Sequence, residues 1–277
     1  IQVVSNLQLQ ETGKLNLRDA LQELVPSYYN SGGWVGQAGE AVKSASLRGL
    51  NGDQTLVLVN GERRHATSLI FYGAPTNNGA SPVDLDLIPA SAIDHIEILS
   101  DGAAAQYGSD AIAGVINVIL KGGADGSNAS FTYGRYASSP SGDLAAYGDT
   151  EQALFDIGVP LGDLGGFIHF SADLAFHDNT NTLGPATPYN PTYGVTSKIA
   201  NYTELYLPGD PREFTASRYV GDQGLPLSQT YNFGYNAELP LTDDIQAYSF
   251  ATLSHQFALN FGIARPASSK QNIPSVY

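Results

Sequence analysis

The chain has 277 residues, with 13 basic and 27 acidic side chains and a formal net charge of −14, and it contains neither Cys nor Met. The acidic balance argues against nucleic acid as a partner, since phosphate binding needs clustered Lys and Arg. Absent Cys excludes disulfides and thiolate metal sites, and no run of about 18 apolar residues offers a transmembrane helix.

A chain without Met is expected to be a processed product or a fragment. Its high Gly and Tyr content, 30 and 16 residues, suits a β-rich protein with many turns. Residues 1–5 read as a strand. Asn16 is a plausible N-cap for a helix over 17–25, where Leu17, Ala20, Leu21 and Leu24 recur at helical spacing until Pro26 stops the run. Residues 27–39 form a Gly-rich loop holding Tyr28, Tyr29 and the only Trp, Trp34. Residues 45–50 are short and β-like. Residues 55–59 are a strand, and Asn60-Gly61 is a hairpin turn signal. A long loop rich in Gly, Asn and Pro spans 65–85.

A short helix at 89–92 leads into the stretch that organises the unit, 93–121. Ile93, Ile96, Ile98 and Leu99 make a strand, Asp101-Gly102 a turn, and 103–106 a helix of about one turn. Tyr107-Gly108-Ser109-Asp110 turns again, and 115–120 is a buried-looking strand ended by Lys121-Gly122-Gly123. Residues 1–122 are therefore expected to form a compact α+β unit, a small mixed sheet with short helices.

After Gly123 the pattern changes to long segments of period two. Phe131 and Tyr133 share one face of the first. In the second, Ala153, Phe155, Ile157 and Val159 alternate with Gln152, Leu154, Asp156 and Gly158. In the third, Ile168, Phe170, Ala172, Leu174 and Phe176 alternate with His169, Ser171, Asp173, Ala175 and His177. In the fourth, Tyr231, Phe233, Tyr235, Ala237 and Leu239 alternate with Thr230, Asn232, Gly234, Asn236 and Glu238. The fifth, 245–255, is strand-like with faces left unassigned. Tight turns at 160–166 and 240–244 contrast with long connections at 137–147 and 178–228. Short turns at one end and long loops at the other are the pattern of an outer-membrane β-barrel. A soluble β-sandwich is the alternative. A barrel that begins with five strands ends on the outer side, so the chain is expected to be C-terminally incomplete.

Residue chemistry gives no enzyme. His169, Asp173 and His177 would share a face on a helix, but on a strand four residues span roughly 13 Å, too far to share one ion. Gly122-Gly123-Ala124-Asp125-Gly126 matches a calcium-binding repeat only once, and such repeats work in stacks. Tyr107-Gly108-Ser109-Asp110 lacks the Gly of a nucleophile elbow, and no phosphate loop or dinucleotide fingerprint is present. No cofactor or metal site is expected.

The N-terminal unit resembles the plug domain of TonB-dependent outer-membrane receptors. Leu17-Arg18-Asp19-Ala20-Leu21 with Val25-Pro26 resembles the family's early helix, and Ser46-Leu47-Arg48-Gly49 its Ile-Arg-Gly segment. Leu56-Val57-Leu58-Val59-Asn60-Gly61 resembles its Val-Leu-Val-Asp-Gly hairpin. Ile88-Pro89 through Ile93–Leu99 resembles its Ile-Pro…Ile-Glu-Arg-Ile-Glu-Val-Leu run. Tyr107-Gly108-Ser109 with 114–121 resembles Tyr-Gly-Ser…Gly-Gly-Val-Ile-Asn-Ile-Ile-Thr-Lys. The chain departs from the pattern at Ser100-Asp101-Gly102, where the family usually has Arg-Gly-Pro.

The resemblance implies a plug over 1–122 and the N-terminal part of an antiparallel transmembrane β-barrel over 123–277, about seventeen strands short of the 22 known for plugged transporters. It implies uptake, across the bacterial outer membrane, of a scarce ligand such as a ferric siderophore, haem, cobalamin, a nickel complex or an oligosaccharide. The partners implied are outer-membrane lipid and TonB, the latter through a box upstream of Ile1. A signal-transducing receptor of the same build is the alternative, and a soluble β-rich binding protein a further one. Expected ligand contacts are Tyr28, Tyr29, Trp34 and Tyr72 for stacking, Arg63, Arg64 and His65 for charge, and Asn77 and Asn78 as amides. Expected plug–barrel contacts are Arg48, Glu97 and Asp101. A plug that must be held yet released implies a polar interface with its wall.

Overall fold

A computed structural model describes residues 1–29, 42–71, 77–100, 103–136, 148–162, 164–180 and 225–259. The N-terminal unit is built on a five-stranded mixed sheet in the order β1-β6-β7-β4-β5. Its strands are β1 (Gln2–Ser5), β4 (Thr55–Val59), β5 (Glu62–Arg63), β6 (Ile93–Leu99) and β7 (Gly114–Leu120). β4 and β7 run parallel, and the other neighbours are antiparallel. Two-residue strands β2 (Tyr28–Tyr29) and β3 (Ser46–Leu47) pair beside it.

Three helices complete the unit: α1 (Asn6–Glu11), α2 (Leu17–Leu24) and α3 (Ala103–Tyr107). Asn16 caps α2 by accepting the Asp19 amide at 2.9 Å, and Leu17, Ala20 and Leu21 turn inward. Helix α1 carries no buried residue. It is held by a capping box in which Ser5 and Gln8 satisfy each other's backbone N–H groups. No hydrophobic periodicity announces it.

The core gathers Leu21 and Leu47 with Ile93, Ile96 and Ile98 of β6 and Ile116 and Val118 of β7, all fully buried. β7 is buried along most of its length and reads as an apolar run, whereas β6 alternates, sending Ile93, Ile96 and Ile98 into the core and leaving Asp94 exposed. Asn60 and Gly61 take φ of 50° and 82°, the left-handed pair that a two-residue hairpin needs. The Asn60 side chain also accepts the Leu120 amide at 2.9 Å and so fixes the hairpin to β7.

The second sheet is an antiparallel meander, β8 (Ser127–Gly134), β9 (Thr150–Leu161), β10 (Gly166–His177), β11 (Leu227–Pro240) and β12 (Gln246–Leu259), each paired with the next. Strands of 12 to 14 residues reach roughly 40 Å, enough to cross a bilayer when tilted. Phe155, Phe170, Leu174, Phe233 and Leu253 stand exposed on one face, the last at 73%. Asp156, His169, Ser171, Asp173 and Asn232 are buried on the other, against the N-terminal unit. The faces left open for the fifth segment are now assigned. Phe250 packs on the core of the unit, and Thr252 and Ser254 follow it on that side at alternate positions. This is one wall of a barrel, unclosed within the described residues, with the α+β unit seated on its inner face.

Candidate functional site

The seam between unit and wall concentrates the buried polar chemistry of the described residues. Strand register creates it: Asp156 lies opposite Ser171, His169 opposite Gly158 and Asn236, and Asp173 opposite Asn232. Period-two geometry sends all of these to the same face. The unit meets them with two segments, the pair of 3-10 turns at Leu85–Leu87 and Ala90–Ala92, and residues 121–122.

Asp173 accepts from three donors on the unit: the amides of Ala90 and Ser91 and the Ser91 hydroxyl. Asn232 donates to the Asp86 carbonyl at 2.8 Å, and Asn236 to the Lys121 carbonyl at 3.0 Å. Lys121 Nζ lies 2.9 Å from Asp156 Oδ2, while His169 Nε2 sits 3.1 Å from Asp156 Oδ1. Ser254 donates to the Leu87 carbonyl at 2.8 Å, and Gln152 to the Leu15 carbonyl at 2.6 Å. Most of these bonds take main-chain groups of the unit, so the wall holds its path more than its side chains. The seam is rich in polar contacts.

Beside the seam lies a cavity of about 410 Å³ between unit and wall, lined by Lys14, Arg18 and Lys43 on one side and Arg135, Gln152 and His177 on the other. Three of its cations have carboxylate neighbours: Lys14 with Glu23 at 3.5 Å, Arg18 with Asp19 at 3.0 Å and Arg135 with Asp149 at 2.9 Å. Asp86 also lines the cavity, and Asp84 accepts the Lys43 amide at 3.2 Å. Burial, reinforced by the Asp86 charge, pushes Asp84 up to about 7, against the pull of the Lys43 and Asp86 amides that bond it. Burial also raises Asp86 and lowers Lys43.

The residues expected from sequence to meet a ligand separate. Tyr28 is buried in the core and its hydroxyl donates to the Ser44 carbonyl at 3.4 Å. Asn77 is fully buried; it accepts the Gly52 amide at 2.6 Å and donates to Ser44 Oγ at 3.1 Å. Both side chains serve the unit's own packing. Arg63 is exposed and bonds Asp110 at 2.5 Å and the Tyr107 carbonyl at 2.7 Å. Arg64 reaches the wall, donating to Thr252, and also holds the Leu87 carbonyl at 3.1 Å. Tyr29, His65 and Asn78 lie on the surface. Trp34, Tyr72 and Asp101 lie outside the described residues.

Of the residues expected to join unit to wall, Arg48 donates to the carbonyls of Ala113 and Ile112, and Glu97 accepts from Asn117 at 2.9 Å. Those bonds lie within the unit. Ser100, the first residue of the departure from the family pattern, is half-buried and also bonds within the unit, its hydroxyl 3.2 Å from that of Ser27. Sequence reasoning missed Asp156, Asp173, Asn232 and Lys121 as seam residues. Their signal was visible as polar side chains in mid-strand opposite an aromatic row, but that row fits a water-filled lumen equally well.

The TonB-dependent Receptor Plug Domain family matches residues 1–115. The chain is 30% identical over 261 residues to the vitamin B12 transporter BtuB of Vibrio vulnificus strain CMCP6, covering 93% of this chain and 38% of the transporter. It is 32% identical over 127 residues to the probable TonB-dependent siderophore receptor PirA of Acinetobacter baumannii, covering 46% and 16%. Among solved structures, the ferric enterobactin receptor PfeA of Pseudomonas aeruginosa (Q482A mutant, with enterobactin) superposes with a TM-score of 0.64 at 19% identity, over 92% of this chain and 33% of that one. The siderophore receptor PirA of Acinetobacter baumannii superposes at 0.60 and 18%, over 93% and 32%. These likenesses concern the fold. The chain spans well under half the length of the relatives it matches.

Proposed function

We propose that the protein is a TonB-dependent outer-membrane receptor that imports a scarce ligand, energised by TonB: residues 1–115 match the plug-domain family, and the fold is that of a plug with the first strands of its barrel wall. The relatives are transporters and receptors rather than enzymes.

The seam is the observation that carries this reading. A plug that only sealed the wall would be held best by a dry apolar contact, which resists rearrangement because packed cores do not deform gradually. Here the wall offers carboxylates, amides and hydroxyls that bond plug main chain. Such bonds exchange for water one at a time, so ligand or force can shift the plug between seated and displaced states. We assign residues 1–122 to the plug and 123–277 to the wall.

The ligand classes in view are ferric siderophores, haem, cobalamin and oligosaccharides. Names among the relatives, vitamin B12 transporter and siderophore receptor, put cobalamin and ferric siderophores first. Tyr29, His65 and Asn78, with Trp34 and Tyr72, are the proposed ligand-facing residues. TonB would engage a box upstream of Ile1.

The test is uptake of radiolabelled cyanocobalamin and of ferric catecholate and hydroxamate siderophores by cells that do or do not express the protein, each with and without TonB. Uptake of one ligand that needs both proteins supports the reading. If the protein reaches the outer membrane at normal levels and no ligand in the panel enters in a TonB-dependent way, import of these classes is excluded. A transcriptional reporter responding to ligand without uptake would favour the signalling receptor.

A further inference from the structure

Two plug segments far apart in sequence are tied together where they meet the wall. The Lys121 amide donates to the Ala92 carbonyl at 2.7 Å, and Ile93 pairs with Leu120 at the start of the β6–β7 ladder. The end of that ladder is a knot formed by 90–92 and 121–122. Each half is gripped by a wall carboxylate. Asp173 of β10, 5% exposed, takes the two amides and the hydroxyl of Ala90 and Ser91. Asp156 of β9, 4% exposed, takes the Lys121 ammonium. Where the chain leaves this knot for the wall it stays close to β9: a Cβ on Gly158 would lie 2.6 Å from the carbonyl oxygen of Gly123, in the link to β8.

We propose that Asp173 and Asp156 are the two posts that seat the plug, and that Asp173, acting through the Ala90–Ser91 amides, sets how tightly the seam closes. Asp173 is a positioning residue for the plug and touches no ligand in this role. The charge of a carboxylate suits the post because it accepts several N–H and O–H donors at once and is stronger than a neutral acceptor. Ser91 supplies two of the three donors, so it is the plug's half of the latch. The inference goes beyond uptake and does not depend on the ligand.

The test is hydrogen–deuterium exchange of the complete receptor in outer-membrane vesicles, read at peptides covering 88–93, with peptides of β9 and β10 as internal controls. Asp173→Ala strands three buried donors and is expected to speed exchange at 88–93 by roughly 10- to 100-fold, the range that one to a few unmade buried hydrogen bonds imply. Asp173→Asn keeps an acceptor but turns an amide toward the plug's donors, so its effect is smaller. Ser91→Ala removes one donor without touching the wall and is expected to give roughly a threefold to tenfold rise. Passive entry of a large hydrophilic antibiotic should rise in the same order, in cells lacking TonB as well as in cells that have it. Unchanged exchange at 88–93 in Ser91→Ala and Asp173→Asn would overturn the proposal. So would acceleration spread equally through β9 and β10, because a general weakening of the wall is not a latch. If Asp173→Ala does not assemble, the Ser91→Ala result decides.

Discussion

Lys121 of the plug and Asp156 of the wall form an ion pair at 2.9 Å, with 18% and 5% of their side chains exposed, and His169 stands 3.1 Å from the other carboxylate oxygen. A pair this shaded from water gains little net stability, because desolvation offsets the attraction. Losing one partner is different, since the survivor keeps its desolvation penalty. Lys121→Met is expected to destabilise the seated plug by about 3 kcal/mol, and Lys121→Met with Asp156→Asn by clearly less. A double-mutant cycle on exchange at residues 118–124 of the intact receptor measures this. Additive single effects would mean that the pair is not coupled.

Gly158 tests the same contact by shape. Its ideal Cβ would fall 2.6 Å from the Gly123 oxygen and 2.9 Å from the Ala124 carbonyl carbon, both backbone atoms. Neither has a rotamer by which to move aside. Gly158→Ala is expected to cost about 1–3 kcal/mol, the usual range for overpacking, and to act on the link from plug to wall more than on the wall's strands. Thermal unfolding of the barrel in detergent should stay within a few degrees of wild type, while exchange in 121–126 accelerates. Equal loss in both would show that Gly158 serves the strand alone.

Much of the fold can be read from local signals that agree with one another. Asn16 before Leu17, the Asn60-Gly61 turn, and the alternation of Phe170 and Leu174 with His169 and Asp173 each have one physical reading, and the structure follows them. Helix α1 is the counterexample. It starts on a capping box at Ser5 and Gln8, and with only Leu9 packed on the core it leaves no period to detect. The seam was far less legible. Arg64 looks like a loop cation until the fold brings Thr252, 188 residues away, against it. Tyr28 and Asn77 sit in turn-rich, polar sequence of the kind that usually lies at the surface. Only the packing of β2 on β3 and of residue 77 under Gly52 buries them. Contacts between distant segments depend on register and docking, which single-strand patterns do not encode.

Asn77 separates a structural role from a binding one. It holds a left-handed backbone, φ 61°, fully buried, with its amide bonded to Gly52 and Ser44 and its own N–H to Asn51. Asn77→Ala is expected to lower plug stability by about 2–4 kcal/mol through unmet buried polar groups and a disfavoured φ. Exchange across 44–54 and 77–85 should rise. Ligand affinity of the folded receptor should stay within twofold, and a large affinity loss without added exchange would return Asn77 to the ligand surface.

Asp84 sets a pH dependence whose sign follows from its surroundings. Burial and the neighbouring Asp86 raise it from 3.8 to about 7 in the folded plug. The charged groups that act on it are Asp86, Lys43 and Arg64, and Asp86 is itself raised by burial. Between about pH 4 and 7 the folded plug therefore holds a proton that the unfolded chain gives up. Plug stability must fall as pH rises through that window, and the loss is complete above it. Both amide bonds to this side chain, from Lys43 at 3.2 Å and Asp86 at 3.1 Å, end on Oδ1. Asn can keep that oxygen in place while removing the charge. Asp84→Asn is thus expected to match wild type near pH 4 and to be the more stable of the two near pH 7.5. Exchange at 84–88 across this pH range, corrected for intrinsic rates, reads the difference. If the two proteins keep parallel slopes, the proton resides elsewhere, and Asp86 becomes the next substitution to make.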